Sequence, residues 1–166
     1  GFTVQIMADF SGYTDIARGT AKMLGFELIH NFRFSMFSAT PSEFWARQHI
    51  SFSTWIRDYL YFPLGGSRGG FWFTTRNTFI AMVLSAVWHG ASWSFVIWGL
   101  FHAALLTGYR LVTGRIPRSL RQDRRWRLLT VPIFFCFILV NFIIFRETHV
   151  GRLLHYFTLD PFVGSS

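Results

Sequence analysis

Apolar side chains in this chain gather in runs more than they alternate. Ala91 to Tyr109 gives 19 residues and Leu128 to Phe145 gives 18 with no formal charge in either. Such runs predict helices that cross a bilayer, because a hydrocarbon core of about 30 Å takes roughly 20 residues at about 1.5 Å rise. A third run, Asn77 to Trp88, has 12 residues. At the same rise it covers about 18 Å and stops short of the far side unless Phe71 to Phe73 extend the helix past Arg76. Residues 1–39 are moderately apolar, with acids at Asp9, Asp15 and Glu27, and predict helix broken at Gly12, Gly19 and Gly25.

Thr40-Pro41-Ser42-Glu43 reads as a helix start, with Thr40 as cap, Pro41 in the first turn and Glu43 completing a capping box. The helix is expected to run to about Leu60 and to end at Pro63, Gly65 and Gly66. Trp45, His49, Phe52, Ile56 and Tyr59 then share one face, while Arg47, Thr54 and Asp58 point elsewhere. An aromatic, amphipathic helix of this kind suits an interfacial or partly buried position. PLGGSRGG, Pro63 to Gly70, is a loop without the Gly-Lys-Ser/Thr ending of a phosphate-binding P-loop.

Composition turns these runs into a class. With 51% hydrophobic and 20% aromatic residues, the 166-residue chain has too little charge to coat a soluble globule. The expected fold is all-α, a polytopic transmembrane helical bundle. The net charge of +8 is concentrated: seven of the 16 cationic residues lie between Arg110 and Arg127, against one acid, Asp123. That cluster joins the two clear spans, so the positive-inside rule places it in the cytoplasm. It fixes topology and touches anionic lipid, or it docks an acidic carrier protein or the phosphates of coenzyme A. Nucleic acid is not the expected partner, since the aromatics sit in apolar runs and not beside the arginines. Cys136 is the only cysteine and lies mid-span, which excludes a disulfide framework and a cysteine metal site.

The candidate chemistry centres on SAVWHGASW, residues 85–93. Arg68 and Arg76 precede the short run and the arginine-rich loop follows Ala91 to Tyr109, so the two helices form a hairpin with His89 near its turn. An imidazole in an apolar site is biased toward its neutral form, because desolvation disfavours the cation. A neutral ring beside a hydroxyl can act as general base while the oxygen attacks an activated acyl group. On spacing alone the structural alternative stays open: a histidine in a membrane helix often only bonds a neighbouring helix. His49, on its aromatic stripe, faces the same choice. His102 follows Trp98 by four and is read as packing. His30, His149 and His155 carry no distinctive context. Metal binding is not expected, as there is no HExxH pair or cysteine cluster. No G-x-S-x-G elbow supports serine hydrolysis. Asp9 and Asp15 are candidate intramembrane carboxylates, with pairing to Arg18 or Lys22 at a helix end the favoured reading.

The succession QIMADFSGYTDIARGTAKMLGFEL, FWARQHISFSTWIRDYLYFPLGG, WHGASWSFVIWGLFHA and NFIIFRE, from Gln5 to about Glu147, resembles the membrane-bound O-acyltransferases, in the bacterial branch typified by the membrane subunit of alginate O-acetylation. The resemblance implies that His89, in the W-H-G motif, is catalytic and that His49, in the R-x-H-I-S stretch, is a second functional position. It implies transfer of an acyl group, usually acetyl, to a hydroxyl on an extracytoplasmic polysaccharide such as alginate. D-alanyl or other acyl transfer to teichoic acid, lipid or protein is the alternative within the class. A non-catalytic transport or scaffold subunit is the alternative outside it. The donor, acetyl coenzyme A or another acyl carrier, is a co-substrate, and no bound cofactor is expected. Further implied are the bacterial inner membrane, a central funnel or tunnel and periplasmic acyltransferase partner subunits. Family members are longer, so residues 1–166 are expected to be the C-terminal portion of one membrane-embedded acyltransferase domain, inactive without the missing N-terminal helices. The family usually has Trp where this chain has Gln48.

Overall fold

In a computed structural model the chain is described over residues 2–153, which places His155 outside the described residues. The described residues are helical apart from loops. Their order is α1 (Phe2–Met23), a 3₁₀ turn (Ser35–Phe37), α2 (Pro41–Arg47), α3 (Ile50–Ile56), a π-helical turn (Arg57–Tyr61), α4 (Gly70–His89), α5 (Trp93–Thr113), the short α6 (Arg118–Gln122) and α7 (Arg124–Arg146). Two of these, α5 and α7, are long and apolar enough to cross a membrane. They cover the two long uncharged runs found in the sequence.

The short run does extend past Arg76, and α4 reaches 20 residues. Arg76 is accommodated in place. Its guanidinium donates to Asn77 Oδ1 and lies 4.3 Å from the centroid of the Phe73 ring. Asn77, fully buried, donates from Nδ2 to the carbonyls of Leu64 and Gly66, both at 3.0 Å, and so pins the PLGGSRGG loop to the helix it precedes. The buried hydroxyls of Thr74, Thr78 and Ser85 donate to carbonyls of their own helix, whereas the Thr75 hydroxyl is sealed without a partner among the described residues.

The α4 and α5 helices form the expected antiparallel hairpin, with Gly90 to Ser92 as its turn. Small residues permit the close approach: a Cβ on Gly99 would lie 2.7 Å from the Met82 carbonyl oxygen and 2.8 Å from the Ala86 Cβ. Association through backbones brought together over small residues is what apolar solvent favours, since lipid removes the hydrophobic drive between helices. Ser92 caps α5 by accepting from the Ser94 N–H. Its hydroxyl also donates to the Thr148 carbonyl at 2.8 Å, tying the hairpin tip to the end of α7. Asp123 caps α7 through the Arg125 N–H, and Pro132 lies within that helix.

Two expectations are corrected. Gly12 and Gly19 do not break α1, which runs unbroken to Met23. No atom approaches either position closely, and an isolated glycine lowers helix stability by only about 1 kcal/mol relative to alanine. Only Gly25, at φ 86°, lies at a helix end. The single helix expected from Thr40 to Leu60 is cut in two at Gln48 and His49. His49 has φ 47° and ψ 55°, the left-handed region that a non-glycine residue rarely enters. The backbone groups freed by the break are taken by the preceding segment. Arg33 N–H donates to the Arg47 carbonyl, Ile50 N–H to the Asn31 carbonyl, and Ser51 N–H to Asn31 Oδ1. Long-range hydrogen bonds outweigh local periodicity here.

The helix start keeps its cap but changes the return bond. Thr40 accepts from the Glu43 N–H, while the Glu43 carboxylate accepts from the Ala39 N–H at 2.7 Å, one residue earlier than a capping box requires. Glu43 also holds Arg47 at 2.6 Å and Arg127 at 3.1 Å, linking α2 to the first turn of α7. Burial raises its carboxyl pKa, but the Ala39 N–H and the two guanidinium groups outweigh that and hold it below the ordinary value. Asp15 pairs with Arg18 at 3.3 Å as expected, whereas Asp9 is exposed with no ion-pair partner among the described residues.

Candidate active site

Helix breaks and helix ends position the two candidate histidines. His89 is the last residue of α4, and Gly90 allows the chain to turn beneath a ring: a Cβ there would lie 2.9 Å from Phe95. His49 sits in the break between α2 and α3 with a left-handed backbone, and shares a cavity wall with Trp45 and Phe52. Forty positions apart in sequence, both line one cavity of about 70 Å³ between α1, α2, α3, α4, α5 and α7. Its walls are otherwise mostly apolar: Ile6, Phe10, Phe44, Phe142 and Phe145 among them, with Gln48 and Asn141 as further polar members.

Aromatic rings fix both imidazoles. Around His89 stand Phe145 and Trp88 at 5.1 Å between centroids, Trp98 at 5.5 Å and Phe52 at 6.0 Å, with Phe145 and Trp98 edge-on. Around His49 stand Phe10 at 5.0 Å and Phe52 at 5.2 Å. Phe52 is therefore common to both shells. His49 Nδ1 is sealed from solvent with no hydrogen-bond partner among the described residues. Burial lowers the His49 pKa below the ordinary imidazole value, offset in part by its own backbone carbonyl, so the ring is neutral at neutral pH.

Gln48, the departure from the family's usual tryptophan, has a defined role. Its Oε1 accepts from the Ser35 hydroxyl at 2.6 Å and its Nε2 reaches Met7 Sδ at 3.6 Å, so it ties the break to the 3₁₀ turn and to α1. His102 meets its structural reading: it is buried, and its Nε2 lies 2.6 Å from Asn141 Oδ1. His30 is exposed and contacts Arg18, and His149 is exposed, so neither approaches the cavity.

Asn141 was not singled out from the sequence, although a signal was present. Trp98 and His102, four apart on α5, each bring a ring N–H to a helix face that must find an acceptor on a facing helix. Asn141 is the carboxamide in the otherwise apolar stretch of α7 that supplies it.

The sequence model of MBOAT, the membrane-bound O-acyltransferase family, matches residues 2–149. The chain belongs to this family. It is 43% identical over 152 residues to the probable alginate O-acetylase of Azotobacter vinelandii, an alignment covering 90% of this chain and 29% of that protein. It is 38% identical over 153 residues to a peptidoglycan O-acetyltransferase of Helicobacter pylori, covering 92% and 29%. Identity to a teichoic acid D-alanyltransferase of Bacillus subtilis is 31% over 170 residues, covering 94% and 41%. The chain thus spans about three tenths of the length of the O-acetylating relatives it matches.

A second, larger cavity of about 520 Å³ adjoins the small one in this member of the membrane-bound O-acyltransferases. It shares Trp45 and Phe52 with the smaller one and extends to Arg57 on the π-helical turn and Arg110 near the C-terminal end of α5. Arg110 Nη1 and Trp45 Nε1 are both buried there without a hydrogen-bond partner among the described residues. Such unpaired donors mark a place where an acceptor is missing.

Proposed function

We propose that this chain carries the catalytic part of an inner-membrane O-acyltransferase that moves an acyl group, acetyl in the favoured case, from a cytoplasmic donor to a hydroxyl of an extracytoplasmic polysaccharide such as alginate. The observation that carries the reading is the meeting of His49 and His89 in one small aromatic cavity. His89 is the general base. It takes the proton of the acceptor hydroxyl as the oxygen attacks the acyl carbonyl, and returns it to the leaving group. His49, with a free buried nitrogen, bonds the acceptor or the donor and holds it against His89. The larger cavity is the donor's approach, since its arginine end lies beside the basic segment that the positive-inside rule assigns to the cytoplasm. On this reading the intact protein is a multi-pass bundle, to which α5 and α7 contribute two spans. Periplasmic acyltransferase subunits are its expected partners.

Aromatic walls do more than pack. Excluding water limits hydrolysis of the activated acyl group and keeps the imidazoles uncharged. The teichoic acid relative keeps D-alanyl transfer as a second reading, because a cavity of this shape discriminates the acyl group only through contacts at its far end. The test is His89→Ala and His89→Gln in the full-length protein. Loss of polysaccharide O-acetylation by about 10² to 10⁴-fold in both, with normal membrane insertion, is expected of a positioned base. Near-normal acetylation in the glutamine variant favours a transport or scaffold role instead, because glutamine keeps a hydrogen bond and cannot take the proton.

A further inference from the structure

The small cavity contains a polar group that the histidine chemistry leaves unused. Asn141 is 4% exposed and lines that cavity. Its Oδ1 accepts from Trp98 Nε1 and from His102 Nε2. The indole N–H of Trp98, which can only donate, prevents the carboxamide from flipping, because the flipped amide would set its own N–H₂ against it; with the oxygen so fixed, His102 Nε2 is the protonated ring nitrogen. His102 is held in turn, stacked on Phe44 at 5.9 Å and edge-on to Trp45 at 4.9 Å. The oxygen is therefore committed and the Nδ2 end is left over, with no hydrogen bond to any described residue.

We propose that Asn141 is a catalytic residue, its Nδ2–H donating to the acyl carbonyl oxygen as that oxygen becomes an oxyanion, with Trp98 and His102 as positioning residues. This rests on the acyl-transfer reading of His89. The acceptor oxygen bonds to the carbonyl carbon of a thioester donor and its proton passes to His89, while the carbonyl π electrons move to the oxygen facing Asn141. On collapse the carbonyl re-forms, the carbon–sulfur bond breaks, and the thiolate takes the proton from His89. Ester and free thiol are the products, and no further reactant is needed. A donor fixed beforehand at the place where charge develops is effective because it needs no reorganisation during the step.

The test uses inner membranes from cells making the full-length protein with its native partners, supplied with acetyl coenzyme A, and counts O-acetyl groups on the polysaccharide. Asn141→Asp keeps an acceptor for Trp98 and His102 and replaces the N–H₂ with a second carboxylate oxygen, which cannot donate and repels an oxyanion. The proposal expects its maximal rate to fall by about 10²-fold or more, with half-saturating acetyl coenzyme A changed by less than about threefold. His102→Leu, which frees one side of the amide without touching the cavity, is expected to lose about tenfold in maximal rate, and His102→Gln, which restores a donor, to recover most of it. A rate within about threefold of wild type for Asn141→Asp, where His89→Ala is inactive, overturns the proposal and leaves the base assignment standing. Full activity of His89→Ala overturns the base assignment itself. Should Asn141→Asp fail to insert, the His102 pair decides, and equal rates in its leucine and glutamine variants overturn the proposal.

Discussion

Gly99→Ala tests whether the hairpin that carries His89 depends on backbone contact. The added methyl would meet the Met82 carbonyl oxygen at 2.7 Å and the Ala86 Cβ at 2.8 Å. Neither can swing aside, since one is helix backbone and the other is bonded directly to it. Ordinary contact begins near 3.4 Å, so the helices must part by roughly 0.7 Å or rotate against each other. Overpacking of this kind costs about 1–3 kcal/mol. The better helix propensity of alanine returns about 1 kcal/mol, leaving a net loss of about 0–2 kcal/mol, and one of about 1–3 kcal/mol relative to an uncrowded Gly→Ala change on the same helix. His89 lies one turn beyond Ala86, so the separation is carried to its ring, which must shift against Phe145 and Phe52. A displacement approaching 1 Å in a reacting group lowers rates by up to about 10²-fold, and about tenfold is expected here. Gly108→Ala is the internal control: it lies on the same helix with no atom within 4 Å and should hold or raise stability. Thermal unfolding of the detergent-purified full-length protein, with O-acetylation measured in parallel, gives both quantities. The reasoning is refuted if Gly99→Ala melts no lower than Gly108→Ala and keeps full activity.

Other consequences are measurable on the same protein. Glu43 has its folded carboxyl lowered, so its network contributes stability above the ordinary carboxylate value and loses it as pH falls through the folded value. Glu43→Gln should therefore cost about 1–2 kcal/mol near neutral pH, discounted for its partly exposed arginines, and the gap to wild type in a melting series should close toward pH 3. His49→Asn should leave stability unchanged or raise it by up to about 0.5 kcal/mol, since asparagine tolerates the left-handed backbone better. O-acetylation by that variant should nevertheless fall at least tenfold, and a fully active His49→Asn would remove His49 from the site. Because burial lowers the His49 pKa, wild type should lose stability as pH falls below about 6.5, and His49→Asn should lose less.

Much of the fold was legible because length and charge are local properties. Two uncharged runs of 18 and 19 residues correspond to α7 and α5, and the arginines flanking the α4 and α5 pair were enough to suggest a hairpin with His89 at its tip. The break at His49 was hidden for the opposite reason. Trp45, His49, Phe52 and Ile56 keep helical spacing across it, and only the bonds from residues 31–33 show why the chain departs. Gly12 and Gly19 misled because a glycine marks a break only where the backbone needs it. Motif resemblance selected the two histidines, yet nothing in their spacing could bring them into one cavity. That juxtaposition requires α2 and α3 to fold back onto the α4 and α5 hairpin.

The left-handed residue lies in the wall of the cavity. Even with the helix cut at His49, its ring lines that cavity together with Trp45 and Phe52. The break comes with a strained backbone, with Asn31 and Arg33 supplying the hydrogen bonds that make it tolerable. Strain held in place by long-range bonds at a buried ring with an unpaired nitrogen is poor economy for packing alone. It is reasonable for a group that must face a reacting partner. Asn141 lines the same space, with its Oδ1 fixed by Trp98 and His102 and its Nδ2 bonded to no described residue. On the acyl-transfer reading, a thioester reacting beside His89 in this 70 Å³ apolar space supplies the hydrogen-bond partners that both groups lack.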